Sequence, residues 1–202
     1  MFITFEGIDG SGKSTQARML WERLASAGRD VVLTREPGGA PGAEDIRKLL
    51  VEGDPGRWSA ETEILLFTAA RRDHLERTIR PALDRGAVVI SDRFADSTRV
   101  YQGATRGDLR DTVDALHDLM IGVEPDITLI LDTDPDAALA RGLARKSGED
   151  RFEDMGARFQ HTLRKGFCAL AQDHAERCIL IDGDRPVQIV AADIARRVEA
   201  RL

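Results

Sequence analysis

The sequence predicts an α/β fold, with a five-stranded parallel sheet covered by helices on both faces. Two observations lead to this prediction. Short apolar runs alternate along the 202 residues with longer segments whose apolar residues recur at helical spacing. The apolar runs contain few polar residues, as is typical of strands that are buried on both faces. Alternation of such strands with helices is the pattern of a parallel sheet.

Five apolar segments are the predicted strands, and each is short enough to be a single strand. Turn-forming residues or helical patterns separate them. In chain order the predicted strands are residues 2–6, 31–34, 87–91, 127–131 and 178–181.

Helical patterns fill the segments between the strands. In the first of them, Ala17, Leu20 and Leu24 fall on one face, and Gly28 ends the helix. Pro81 indicates a kink or an early end in the longest pattern. The remaining predicted helices are 43–51, 60–83, a short turn at 97–102, 109–120, 136–145, 152–173 and a closing helix over 187–202.

Length and composition set bounds on the function. The chain suits a single domain over 1–202, with a lid at about 141–153. Its net charge of −6 argues against a nucleic acid polymer or a membrane surface as the main partner. The two cysteines have no metal or redox spacing, so we expect reduced thiols and a cytoplasmic protein. The chain starts with a predicted strand, and it has neither a signal-peptide pattern nor an apolar run of membrane-spanning length.

The segment from Gly7 to Ser14 reads G-x-x-x-x-G-K-S, between a predicted strand and a predicted helix. This is the context of a phosphate-binding loop, whose glycines let backbone N–H groups point at one anion. Lys13 is expected to reach the β- and γ-phosphates of a nucleotide, and Ser14 to bind Mg²⁺. The motif therefore predicts a phosphate-loop NTPase fold that binds a nucleoside triphosphate together with Mg²⁺. The predicted nucleotide-binding residues are Gly7, Ile8, Asp9, Gly10, Ser11, Gly12, Lys13, Ser14 and Thr15.

Polar residues also follow the second and third strands, as Arg35-Glu36 and Asp92-Arg93. The carboxyl ends of parallel strands share one edge of the sheet, where ligands bind in such folds. We therefore expect one active site there. Asp92 is either a second Mg²⁺ ligand or a helix cap, and the sequence leaves both open.

A polar segment over residues 146–151 is the centre of the predicted lid; Arg141 and Arg145 precede it, and Arg151 is its last residue. Arginines over a phosphate site can stabilise transition-state charge while the lid excludes water. Any single one of them could equally be a solvated surface residue. A switch-type GTPase is excluded, because the chain contains no asparagine for the N-K-x-D motif that recognises guanine. A protein kinase is excluded because the H-R-D and D-F-G motifs are absent.

Several separate segments resemble bacterial thymidylate kinase, and the resemblance runs from about residue 3 to 195. It implies phosphorylation of dTMP to dTDP with Mg-ATP, a mobile lid and a homodimer. A kinase for another nucleoside monophosphate, or a non-catalytic nucleotide-binding module, stays open as an alternative. The matching segments are 5–16, T-R-E-P-G-G at 34–39, F-T-A-A-R at 67–71, D-R-F at 92–94 with Ser97, Y-Q-G at 101–103 and D-R-F-E at 150–153.

The resemblance assigns roles to residues of these segments. Phe67 is expected to stack on thymine, Arg71 to bind a thymine carbonyl, and Gln102 with Thr98 to contact the base edge. Tyr101 is expected under the sugar, where it disfavours a 2′-hydroxyl. Asp9 is expected either to contact the 3′-hydroxyl or to orient the phosphate-binding groups, and Arg35 and Arg93 to hold the acceptor phosphate. Glu36 and Ser97 complete the expected substrate-binding set. Some members of the family have a catalytic arginine in the phosphate loop, and this loop contains none. The resemblance therefore implies that the lid supplies the catalytic arginine. The predicted catalytic residues are Lys13, Asp9, Arg93, Arg145 and Arg151.

Overall fold

The computed structural model describes residues 1–54, 56–104, 107–143 and 156–202. Its strands form one parallel sheet in the order β2-β3-β1-β4-β5, which confirms the predicted five-stranded sheet. Each strand lies within one residue of its predicted bounds. The strands are β1 Phe2–Glu6, β2 Val31–Arg35, β3 Val88–Asp92, β4 Ile127–Asp132 and β5 Cys178–Asp182.

The register of the sheet brings the three predicted polar clusters together. Phe5 of β1 pairs with Asp92 of β3, and Asp92 pairs on its other side with Arg35 of β2. The segments that follow these strands therefore leave the sheet at the same edge. This edge holds the candidate site.

Helices cover both faces of this sheet. Nine of them lie within the described residues: α1 Lys13–Ser26, α2 Pro41–Val51, α3 Ala60–His74, α4 Arg80–Asp84, α5 Ala95–Thr98, α6 Arg110–Met120, α7 Pro135–Leu143, α8 Ala157–Asp173 and α9 Val187–Glu199. None of these described helices is long and apolar enough to cross a membrane.

Successive residues of a strand point to opposite faces, and the core divides accordingly. Ile3 of β1 packs with apolar residues of α1 and α9 on one face. Its neighbour Phe2 packs on the other face against Leu75 and Ile79, and Ile130 of β4 packs with α8. The strands are apolar throughout because both faces are buried.

The predicted helix over 60–83 is present but changes geometry before its proline. Residues Leu75–Ile79 form a π-helical turn between α3 and α4. There the N–H of Arg80 donates to the carbonyl of Leu75, five residues earlier. Pro81 has no N–H and lies in the first turn of α4, a position that tolerates proline. A second π-helical segment, Arg99–Ala104, continues α5 and occupies the predicted turn at 97–102.

The predicted lid falls largely outside the described residues. Arg141 lies in α7, whereas Arg145 and Arg151 are among the residues that the structure does not describe.

Candidate active site

Backbone conformation shapes the loop between β1 and α1. Gly7, Gly10 and Gly12 all have positive φ angles, of 131°, 77° and 98°. A Cβ on Gly10 would lie 1.9 Å from the carbonyl oxygen of Ala138, so the loop also needs glycine there for space. Gly12 immediately precedes α1, and the first N–H groups of that helix open towards the loop.

Lys13 is buried and folds back over this loop, where its Nζ donates a hydrogen bond of 2.7 Å to the carbonyl oxygen of Ile8. Burial, together with the nearby charge of Arg93, lowers the pKa of Lys13 to about 8. An anion bound in the loop would favour the protonated amine. The arrangement suits a phosphate group next to Lys13.

Arg93 joins the loop to the segment after β3. It has a φ of 72°, in the left-handed region. Its guanidinium donates to the carbonyl of Gly7 at 3.3 Å, to Ser97 Oγ at 2.9 Å and to the Tyr101 hydroxyl at 3.1 Å. It also pairs with the carboxylate of Asp9. Contacts from three elements thus fix one guanidinium at the edge of the sheet.

Asp9 is the anionic partner in this cluster. Its second oxygen accepts a hydrogen bond of 2.8 Å from the Tyr101 hydroxyl. Burial alone raises the pKa of Asp9, but Arg93 and Lys13 outweigh it and bring the pKa to about 2. Asp9 is therefore ionised at neutral pH and holds Arg93 and Tyr101 in place.

Glu6, at the end of β1, binds the segment that follows β3 and carries Arg93. Its carboxylate accepts hydrogen bonds from the Phe94 N–H at 2.8 Å, the Ser97 N–H at 3.3 Å and Ser97 Oγ at 2.6 Å. The side chain is fully buried, and burial, with the charge of Asp96, raises its pKa to about 7. Glu6 belongs to a segment that carries the family resemblance, but nothing in the sequence indicates its role, since it ends an apolar strand and its partners lie far along the chain.

Arg71 is held by a second buried network. Its Nε donates to Glu36 Oε2 at 2.8 Å, and its Nη2 donates to Thr98 Oγ1 at 3.0 Å. His74, one turn later on α3, donates from Nδ1 to the other oxygen of Glu36 at 3.0 Å, and its Nε2 lies 2.7 Å from Thr34 Oγ1. Glu36 thus fixes two residues of one helical face.

The T-R-E-P-G-G segment makes room for this network. A Cβ on Gly39 would lie 2.5 Å from His74 Nε2 and 2.5 Å from Thr34 Oγ1. Gly39 also has a φ of 82°, which glycine adopts without strain. The segment therefore supplies Thr34, Glu36 and the space between them.

Gln102 lies in the second π-helical segment and is buried. Its Nε2 donates a hydrogen bond of 2.9 Å to Glu63 Oε2, on α3. Its Oε1 is also buried, and no described residue is hydrogen-bonded to it.

One cleft of about 270 Å³ collects most of the predicted site residues. The predicted residues that line it are Asp9, Gly10, Gly12, Lys13, Ser14, Arg35, Glu36, Phe67, Arg71, Asp92, Arg93, Ser97, Thr98, Tyr101 and Gln102. Within the described chain, Gly7, Ile8, Ser11 and Thr15 do not line it. Gly7, Ile8 and Ser11 lie in the loop between β1 and α1, and Thr15 lies in the first turn of α1.

Four further residues line the cleft without having been predicted: Pro37, Arg47, Val51 and Phe94. Pro37 and Phe94 belong to segments that carry the family resemblance, so the motifs contained a signal for them. Arg47 and Val51 lie one turn apart on α2, and nothing in that amphipathic pattern distinguishes them from other helix residues.

Comparisons with known proteins agree with this geometry. The family model described as thymidylate kinase matches residues 5–194. The chain is 70% identical to the thymidylate kinase of Dinoroseobacter shibae over 192 residues, which cover 95% of this chain and 93% of the relative. It is 65% identical to the thymidylate kinase of Ruegeria pomeroyi over 202 residues, which cover 100% of this chain and 96% of the relative.

A solved structure gives the same answer for the fold. The crystal structure of thymidylate kinase from Ehrlichia chaffeensis superposes with a TM-score of 0.80 at 38% identity, over 98% of each chain. Both the predicted fold and the predicted resemblance are thereby confirmed. The chain belongs to the thymidylate kinase family.

Proposed function

We propose that this chain transfers the γ-phosphoryl group of Mg-ATP to dTMP, forming dTDP for dTTP synthesis. One observation carries the proposal: a single cleft is lined at once by the phosphate loop and by Phe67, Arg71 and Gln102. ATP binds with its phosphates on the loop beside Lys13. The base of dTMP binds at α3 and the second π-helical segment, so the acceptor phosphate points towards Lys13 and Arg93.

The acceptor phosphate of dTMP is anionic at neutral pH, so the reaction needs positioning and charge neutralisation more than a general base. Arg93 and Arg35 hold this phosphate. Arg93 is preorganised for that task by Asp9, Ser97 and Tyr101. Asp9 contacts the sugar 3′-hydroxyl or keeps Arg93 oriented, and Tyr101 lies under the sugar, where it disfavours a 2′-hydroxyl.

The base is read by residues that the structure holds in fixed positions. Phe67 and Arg71 are one turn apart on α3, so they share a face. Phe67 stacks on thymine, and Arg71 donates to a thymine carbonyl through Nη1, to which no described residue is hydrogen-bonded. Thr98 and Gln102 meet the base edge. Glu36 acts by fixing Arg71.

Ser14 and Asp92 are the proposed Mg²⁺ ligands. Both line the cleft, and both offer the oxygen atoms that Mg²⁺ prefers. The described residues contain no cluster of three or more acidic, histidine or cysteine side chains that could hold a metal by themselves. This fits an ion bound mainly by nucleotide phosphates and water. When bound there, Mg²⁺ neutralises charge on the transferring phosphoryl group.

Arg151 and Arg145 of the lid stabilise the negative charge that develops on the phosphates in the transition state. The chain forms a homodimer, and Leu65 of α3 and Leu119 of α6 offer exposed apolar side chains for it. The free thiols Cys168 and Cys178 are consistent with a cytoplasmic protein.

The test is turnover of a monophosphate panel, namely dTMP, dUMP, dCMP, UMP and AMP, with ATP in the presence of Mg²⁺ or of excess EDTA. We expect dTMP to be phosphorylated fastest and only with Mg²⁺. Fast turnover of AMP with none of dTMP would overturn the proposed substrate. Equal rates in EDTA would remove the metal from the proposal.

A further inference from the structure

We propose that Glu63 is a positioning residue that fixes the amide of Gln102 with its oxygen available to the base, and thereby selects pyrimidines that carry an N3–H. The inference rests on the proposed function, in which Gln102 meets the base edge. Glu63 is fully buried and does not line the described cleft. Its influence on the substrate therefore passes through Gln102.

Glu63 stands on the helix face that carries the proposed base reader. It precedes Phe67 by one turn and Arg71 by two turns on α3. Residues four apart on a helix share a face. Glu63 thus lies in line with the two residues that contact the base, and it meets Gln102 from that side.

The hydrogen bond between the two side chains sets the orientation of the amide. Gln102 Nε2 lies 2.9 Å from Glu63 Oε2. A carboxylate accepts hydrogen bonds and does not donate them, so the NH₂ group must face Glu63. Rotating the amide by half a turn would place two acceptor oxygens at hydrogen-bond distance in a buried site, which is strongly unfavourable.

This orientation leaves Gln102 Oε1 as an unpaired acceptor. The atom is buried, and no described residue is hydrogen-bonded to it. A buried acceptor without a donor is unfavourable, because it has lost the hydrogen bonds that water would give it. Oε1 has almost no accessible surface while the cleft is empty, but Gln102 lines the cleft, so a base that contacts Oε1 as it binds supplies the donor.

Pyrimidine bases differ in what they can supply. Thymine and uracil carry a hydrogen on N3 and therefore donate to Oε1. Cytosine has an unprotonated N3 acceptor, which would repel Oε1. A site built around one hydrogen-bond polarity rejects the opposite polarity much more strongly than it rejects a missing methyl group. Glu63 therefore selects thymine and uracil over cytosine by preventing the amide from turning.

The test compares kcat/KM for dTMP, dUMP and dCMP in competition, using the wild type, Glu63→Gln, Gln102→Met and the double variant. Glutamine at 63 can accept or donate, so the Gln102 amide can then turn to suit cytosine. We expect the dTMP:dCMP ratio to fall at least tenfold in Glu63→Gln, with dUMP following dTMP. Glu61→Gln, an exposed glutamate in the same helix, is the matched control and keeps the wild-type ratio.

The double variant distinguishes a positioning role of Glu63 from a merely structural role. If Glu63 acts through the amide, adding Glu63→Gln to Gln102→Met changes the ratio no further. Equal losses for all three substrates in Glu63→Gln, or additive losses of selectivity in the double variant, would overturn the inference. If Glu63→Gln does not fold, Gln102→Met is the test, and an unchanged dTMP:dCMP ratio there overturns the inference, because Arg71 would then account for the selectivity.

The wild-type panel keeps this inference distinct from the proposed function. No turnover of dTMP by the wild type would overturn the proposed function and the inference together. Turnover of dTMP with an unchanged dTMP:dCMP ratio in folded Glu63→Gln would overturn the role of Glu63 alone.

Discussion

The two halves of the cleft are built in different ways. On the phosphate-loop side the backbone makes the site, through three glycines with positive φ and the first turn of α1. On the opposite side the site consists of side chains that hold one another, and Asp9 of the loop is one of their partners. Arg93 is fixed by Asp9, Ser97 and Tyr101, and Arg71 by Glu36 and Thr98.

This difference predicts how each half of the cleft responds to substitution of a side chain. A backbone site depends on few side chains, so removing one charge there should cost catalysis and little stability. An interlocked site leaves buried partners unpaired when one member is lost, so catalysis, selectivity and stability should change together. Substitutions in each half test this contrast, from the largest expected effect to the smallest.

Lys13→Ala tests the backbone-built half. Among the described residues Lys13 hydrogen-bonds only the carbonyl of Ile8, and its neighbour Asp9 keeps the ion pair with Arg93, so the loss of Lys13 leaves no buried charge without a partner. We expect kcat to fall by about 10²–10³ or more, as for other oriented charges that act on a transition state. Circular dichroism and thermal unfolding should match the wild type. Lys165→Ala, at an exposed lysine, is the control. Near-normal activity in folded Lys13→Ala would refute the placement of the phosphates.

Glu6→Gln tests the interlocked half through pH. The pKa of Glu6 is raised from 4.5 to about 7 in the folded chain, mainly by burial. A raised carboxyl pKa contributes stability below its unfolded pKa, and that contribution is lost as pH rises through the folded pKa. The free energy of unfolding of the wild type should therefore fall relative to Glu6→Gln between pH 4.5 and pH 8, by about 3 kcal/mol.

Urea unfolding of both proteins across this range measures the effect of Glu6. The control is Glu22→Gln, an exposed glutamate whose removal should leave the pH dependence unchanged. Parallel curves for the wild type and Glu6→Gln would show that Glu6 does not titrate between these values.

The contrast between the halves also explains what the sequence could predict. The sequence predicts the bounds of each strand to within one residue because each strand is a mostly apolar run. It predicts the phosphate-binding loop because the residues of the loop are contiguous and each is needed for a separate chemical reason. Glu6, Glu63 and His74 had no such signal, because their partners lie elsewhere in the chain: Ser97 is 91 residues from Glu6, and Gln102 is 39 from Glu63. A single buried acid in a strand or amphipathic helix looks like any other polar residue.

Arg71→Ala should change both selectivity and stability. It removes the proposed donor to thymine and leaves Glu36 with His74 as its remaining hydrogen-bonded partner. We expect kcat/KM for dTMP to fall by roughly 30-fold to 100-fold, about 2–3 kcal/mol, with a reduced preference over dCMP. Phe67→Ala should weaken the binding of all pyrimidine monophosphates to a similar extent. Full dTMP selectivity in Arg71→Ala, measured by competition, would show that α3 does not read the base.

The smallest effect is expected at Arg35, which lines the cleft but is exposed. Its guanidinium donates to Glu44 at 3.1 Å in an ion pair whose side chains are 52% and 39% exposed. Such pairs contribute about 0–1 kcal/mol, so Arg35→Ala should leave the unfolding midpoint almost unchanged. Arg18→Ala is a matched control, because the pair of Arg18 with Glu22 has similar exposure, 58% and 50%, and Arg18 does not line the cleft. If Arg35 holds the acceptor phosphate, only Arg35→Ala should raise KM for dTMP, by several-fold. Equal KM values in the two variants would assign that phosphate to Arg93 alone.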